Sequence, residues 1–300
     1  MKIIRDVYII KTKRITAAVA LGLFFAISGQ TKAQYTIRQI DVPGSTYTDC
    51  GDINDLGRIV GDFVDSAGRL HGYLRVPPQN FTKLDFPGAA STLATGINNA
   101  GGIVGFFDDA SGRRLAYVRV NGVFTAISVP GSLQTEAYDI NNAGQIVGSF
   151  IDANQVRHGY LRLGPQNFTT IDFPGATYTA AAGINDAGQI VGYFGDSAGL
   201  QHGFLKNGTS FTKVDFPAST LTSLTGINRA GQIAGSYEDG TGAFFPFVTD
   251  LSTFNMLDLP FCSNPCSGSD HGPNSGGVLV GLFFDDQGVG HGFIARPTSH

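Results

Sequence analysis

The phrase Gly-Ile-Asn-Asp-Ala-Gly-Gln-Ile-Val-Gly at residues 183–192 recurs in near copies along the chain, and no other feature limits the fold as tightly. Aligned on the Asn, the copies centre on Asn54, Asn98, Asn141, Asn185, Asn228 and a degraded Gly272-Pro273-Asn274; the first five are 43 or 44 residues apart. A second landmark keeps the same period: Asp41-Val42-Pro43, Asp85-Phe86-Pro87, Ser128-Val129-Pro130, Asp172-Phe173-Pro174, Asp215-Phe216-Pro217 and Asp258-Leu259-Pro260. Two landmarks on one period mark a true internal repeat. A unit of 40–50 residues made of short strands is the length of a propeller blade.

Each unit divides into four strand-like pieces, A to D. In the second unit these are Thr92 to Asn98, Gly102 to Phe107, Leu115 to Val120 and Val123 to Val129, rich in β-branched and aromatic residues and separated by Gly or Asn. The Asn-x-x-Gly between A and B reads as a tight turn. Its Gly takes a positive φ, and its Asn side chain bonds the turn backbone locally. Tyr35 to Val42 reads as a lone D strand before the first A strand, while the last unit stops after its C strand at His291 to Ala295. The expectation is a six-bladed, all-β propeller closed by the N-terminal strand, residues 35–42, completing the last blade.

Composition agrees: 41 Gly and 33 Phe plus Tyr with only 15% charged residues suit a turn-rich β protein. Residues 1–33 read as a secretory signal peptide: a basic segment, the apolar run Ile15 to Ile27, and Thr31-Lys32-Ala33 as a cleavage site. That leaves residues 34–300 as one domain of six repeats of about 43 residues. The leader holds six of the 20 Lys and Arg and one of the 24 Asp and Glu, so the remainder carries 14 and 23, a net charge of −9. Such a domain repels nucleic acid and anionic lipid. A secreted, extracellular or periplasmic monomer is expected, with no membrane span after cleavage, no metal and no cofactor.

Four of six His residues open a C strand in His-Gly-Tyr or His-Gly-Phe: His71, His158, His202 and His291. The Asp of Asp-x-Pro follows the first three by 13 or 14 residues, which places it across the C–D hairpin. The expected pairs are His71–Asp85, His158–Asp172 and His202–Asp215, with His291 meeting Asp41 across the closure. A pair repeated in four blades fits a structural role better than a catalytic one. The units Ile-Asn-Asp-x-Gly-Gln-Ile-Val-Gly followed by His-Gly-Phe-Leu resemble the HAF family of bacterial extracellular repeats, over roughly residues 35–297, with Gly replacing the Ala of that family's His-Ala-Phe. The resemblance implies a propeller-like envelope or secreted protein and brings no activity with it.

Residues that do not serve the shared scaffold lie where the repeats differ. The D–A loops vary most, and Tyr47, Thr48, Thr135, Tyr138 and Tyr178 there are candidates for holding an extracellular carbohydrate or peptide. The sixth unit departs furthest, at Cys262 to His271. Asp270 and His271, with Glu136 and Asp49, are acid–base candidates for a polysaccharide lyase or hydrolase, although no nucleophile motif accompanies them. A structural envelope protein is a further alternative. Cys262 and Cys266 are spaced for a local disulfide; Cys50, beside the sixth blade in a closed ring, is the other available partner. Aspartates of the B–C turns, such as Asp65, Asp196 and Asp285, read as turn formers rather than a calcium ladder.

Overall fold

The computed structural model describes residues 30–32, 35–262 and 267–298, and its regular structure is entirely β-strand. The repeats form the blades of a six-bladed β-propeller. The A strands are Tyr47–Ile53, Ser91–Ile97, Gln134–Ile140, Tyr178–Ile184, Leu221–Ile227 and Gly268–His271. Each pairs antiparallel with its B strand, which pairs with C, which pairs with D. The sixth blade takes its D strand from the other end of the chain: Tyr35–Ile40 runs antiparallel to Gly290–Pro297, from Tyr35 opposite Pro297 to Ile40 opposite Gly292. The ring therefore closes through six consecutive residue pairs, not through a loop.

Most of the leader lies outside the described residues. Gln30–Lys32 forms a short strand parallel to Phe254–Met256, on the outer edge of blade 5. Among the described residues no helix is long and apolar enough to cross a membrane.

The core is divided among the seams. Six apolar clusters lie one to each gap between adjacent blades; Val104, Ala116, Ala137, Ile140 and Tyr160, for example, fill the gap between blades 2 and 3. No blade buries its own faces, so each depends on two neighbours.

At the axis the repeat phrase makes a second structure. The turn glycines Gly57, Gly101, Gly144, Gly188, Gly231 and Gly277 all have positive φ, between 70° and 83°. Each Asn bonds its own turn, as Asn141 Oδ1 does by accepting from Ala143 N at 3.1 Å and Gln145 N at 3.0 Å. Its Nδ2 then donates to the backbone carbonyl of the equivalent Asn in the next blade. The links run Asn54 to Asn98, Asn98 to Asn141, Asn141 to Asn185, Asn185 to Asn228 and Asn228 to Asn274 at 3.0–3.1 Å, and Asn274 returns to Asn54 at 3.3 Å. The purely local bonding expected of the Asn side chains describes half of what they do.

Just inside this ring the A strands nearly touch. A Cβ on Gly183 would lie 2.7 Å from Gly226 Cα, so only glycine fits there. Asp52 and Asp139 occupy the same strand position in blades 1 and 3 and bind forward, Asp52 accepting from Ile97 N and Asp139 from Ile184 N, both at 2.8 Å. Burial, and then the charge of Asp139, push the Asp52 carboxyl well above the usual range; burial raises that of Asp139 to about 6.

Replacing Asn141 by Ala removes two acceptor contacts and one inter-blade donor at a buried site. The expected loss is about 2–3 kcal/mol in urea unfolding, against under about 1 kcal/mol for Ala at the exposed Asn154, whose bonds stay within its own turn. Equal effects would show that the ring contributes nothing special.

Candidate functional site

Strand alternation decides which side chains meet. In each A strand the second residue faces the seam that receives the incoming D–A connector, and in blades 1 to 5 it is Thr. Thr48 and Thr135 are fully buried, and their hydroxyls accept from Val42 N and Val129 N at 3.1 Å while meeting Ser45 and Ser132. These two candidate ligand residues fasten the connector to the strand. Their hydroxyls are occupied within the fold.

The third residue of the A strand faces the other way and varies: Asp49, Leu93, Glu136, Ala180 and Ser223, with Ser269 at the same register in blade 6. In blade 3 it builds a charged cluster. Glu136, paired across the ladder with Ser149, accepts from Arg114 Nη1 of blade 2 at 3.0 Å and from Arg157 Nη1 of its own blade at 2.7 Å. A bulge in the strand brings the Tyr138 hydroxyl onto the same carboxylate, and Arg157 also donates to Ser149 Oγ at 2.6 Å. Burial opposes ionisation of Glu136, but the charge of Arg157, the Tyr138 hydrogen bond and the charge of Arg114 outweigh it and hold the carboxyl below its ordinary value. Asp108 takes the other side of Arg114 at 2.9 Å. Blade 4 continues the polar layer: Tyr178 OH donates to Gln201 Oε1 at 2.9 Å, and Gln201 Nε2 to Ser223 Oγ of blade 5 at 2.6 Å. Tyr47 occupies the equivalent of Tyr178 in blade 1 and is partly exposed.

Of the four acid–base candidates only Asp49 and His271 meet. Glu136 is held between two guanidinium groups, ionised and without a proton to give. Asp270 and His271 are adjacent on a strand and so point to opposite faces. Asp270 is fully enclosed, neither of its carboxyl oxygens has a hydrogen-bond partner, and burial pushes its carboxyl well up. His271 instead faces blade 1, where it acts on Asp49. Asp62, to which no motif in the sequence points, stands opposite Asp49 on the B strand. Burial, then the charge of Asp49, push Asp62 well up; burial raises Asp49 with His271 opposing, and burial lowers His271. Asp49 Oδ1 and His271 Nε2 are buried without a hydrogen-bond partner.

The four repeated His residues lie apart from this layer, each between two carboxylates. Nδ1 meets the connector Asp: His71–Asp85 at 2.8 Å, His158–Asp172 and His202–Asp215 at 2.9 Å, and His291–Asp41 at 3.0 Å across the closure. Nε2 faces the first residue of the B–C turn, at 3.1 Å from Asp65, 3.6 Å from Asp152, 3.2 Å from Asp196 and 3.4 Å from Asp285. From the sequence that second Asp is only a turn former. It is one, because Asp65 Oδ1 accepts from Ala67 N and Arg69 N at 2.9 Å, while its other oxygen meets His71 and the Arg69 guanidinium.

Cys50 is a free, fully buried thiol that accepts from Tyr73 OH at 3.1 Å. Burial pushes it up to about 12. Cys266, and with it the Cys262–Cys266 pairing, lies outside the described residues. Among the described residues no group of three or more His, Cys, Asp or Glu side chains is arranged to hold a metal ion.

A carboxyl whose folded value is raised costs stability once it ionises. For Asp62 that cost is absent below the unfolded value of about 4 and grows as pH rises toward the folded one. Asp62→Asn is therefore expected to be more stable than the parent at pH 7, with the difference vanishing near pH 3.5 in paired urea titrations. A pH-independent difference would remove ionisation from the explanation.

Comparison with known proteins reaches the fold and stops there. No family model matches the chain, and a search of curated proteins finds no match. Among solved structures, AofleA from Arthrobotrys oligospora is 14% identical at a TM-score of 0.57, over 89% of this chain and 87% of that one. The Aleuria aurantia lectin, described as a six-bladed β-propeller with a novel fucose recognition mode, is 12% identical at 0.52, over 86% and 93%. TolB from Acinetobacter baumannii is 14% identical at 0.58, over 82% of this chain and 66% of its own. The likeness to these structures is one of fold.

Proposed function

We propose that this chain is a secreted, HAF-type propeller that binds carbohydrate on the face formed by its D–A loops. The observation that carries the reading is the Glu136 cluster. It offers fixed, directional donors and acceptors at positions that do not repeat, so the scaffold does not account for them. The Arg157 side chain is 31% exposed and is held in place by Glu136 and Ser149, which presents a planar donor edge at little entropic cost. Tyr138 and Tyr178 add aromatic surface beside it. Binding is favoured over hydrolysis at this cluster because its carboxylate is neutralised and fully hydrogen-bonded. The structural neighbours include a lectin, which gives the fold a precedent for such a ligand and leaves its identity open.

A second reading, an extracellular polysaccharide lyase or hydrolase, draws on Asp49, Asp62 and His271. Two carboxyls pushed up beside a neutral His are suited to moving a proton, and unsatisfied buried atoms are common where chemistry is done. Glu136, ionised between two guanidinium groups, has no part in it.

The deciding experiment is a broad glycan array run on residues 34–300 and on Arg157→Ala, with the bound glycans then tested for cleavage. Binding without turnover, weakened at least about tenfold by the substitution, is expected. No glycan bound, or binding indifferent to Arg157, defeats the reading; release of new chain ends prefers the enzyme. N-terminal sequencing of exported protein is expected to begin at Gln34, and an intact Met1 in the exported form would remove the cleaved leader.

A further inference from the structure

In blades 2, 4 and 5 the incoming connector lays an aromatic ring flat on the aromatic residue of the B strand. Phe86 covers Phe107, Phe173 covers Phe194 and Phe216 covers Tyr237, each pair with centroids 3.7 Å apart and planes within 5° of parallel. The same ring meets the D-strand Phe edge-on, at 5.5–5.6 Å from Phe124, Phe211 and Phe254. Three blades thus hold a slot shaped for one flat six-membered ring and fill it with the middle residue of Asp-x-Pro.

Blade 1 keeps the slot without the ring. Phe63, Tyr73 and Phe81 occupy the places of Phe107, Tyr117 and Phe124, in the same ladder register. The connector supplies Val42 instead of Phe, as Val129 does in blade 3, where Phe150, Tyr160 and Phe168 hold the same register. What opens between Val42, Pro43 and the three aromatic residues is a cavity of about 450 Å³, within the range of small-ligand pockets. Phe63 and Phe81 are partly exposed to it. The rest of its lining is polar: Gln79, Asn80, Thr82 and Lys83, whose ammonium is ion-paired with Asp85 at 2.9 Å.

We infer that this cavity is a pyranose-binding site, the sugar ring taking the place that a connector Phe takes in three other blades. The aromatic floor receives the apolar face of the ring, and the polar residues beside it meet its hydroxyls. A bare aromatic side chain from a protein partner fits the floor as well but leaves those polar residues unused. The inference rests on the carbohydrate-binding reading and adds a second, separate place for the ligand.

The test is an amide NMR titration of residues 34–300 with a panel of methyl pyranosides, and with N-acetylphenylalaninamide as the rival probe. The variants are Val42→Phe, which installs the residue the other blades use, and Arg157→Ala. Pyranoside-induced shifts in Gln79 to Lys83 are expected, lost in Val42→Phe and kept in Arg157→Ala. Thr82→Ala, expected to weaken the same response about threefold, gives a second handle if Val42→Phe does not fold. Shifts elsewhere that Arg157→Ala abolishes, with none at Gln79 to Lys83, overturn this site and leave the D–A face reading standing. No pyranoside response anywhere defeats both. Saturation by N-acetylphenylalaninamide alone overturns the sugar and assigns the slot to a protein partner's aromatic side chain.

Discussion

A closed circle of six hydrogen bonds holds the axis of this molecule, each made by an Asn side chain to the backbone of the next blade. The same side chain caps its own turn, so a single residue fixes the local hairpin and its position relative to the neighbour. Each link contributes about 1 kcal/mol net, little alone against the entropy of ordering a 43-residue unit. The value lies in the geometry. Any blade that drifts breaks two links and exposes two slabs of apolar core, because no blade covers its own faces. Asp52 and Asp139 add forward bonds at the same level, and the glycines there let the strands converge until little space is left on the axis. The A–B end is thus committed to architecture. What varies among repeats is free to vary because it lies elsewhere.

The parts of this design that are legible in the sequence are those set by local spacing. The Asn-x-x-Gly turn, the four strands of each unit, the number of blades and the closing strand all follow from periods and turn residues, and the His–Asp contacts follow from hairpin arithmetic. What is not legible is contact between units. Nothing in the turn at Asn98 says that its amide reaches Asn141, since the reach is set by the angle between blades. For the same reason the carboxylate on the far side of each His, Asp65 in blade 1, shows only its local role.

The candidate site is more legible than adjacency along the chain suggests. Asp270 and His271 look like a catalytic pair because they are neighbours, yet adjacency in a strand sends side chains apart, one toward blade 5 and the other toward Asp49. Period-two alternation also separates Thr48, which fastens the connector, from Asp49, which faces Asp62 and His271. Applied to the residues flanking the loops as well as to the strands, that alternation sorts the polar side chains by face from their order alone. The Glu136 cluster needs three dimensions, because Arg114 belongs to another blade.

The closing strand has a consequence for how such a ring comes into being. Tyr35–Ile40 is the first strand of the propeller to be synthesised and Gly290–Pro297 the last, yet the two are partners. The early strand has no partner to pair with until the rest of the ring has been synthesised. Until the final C strand arrives the molecule is an open crescent with a raw edge at each end, and completion comes as a single late event.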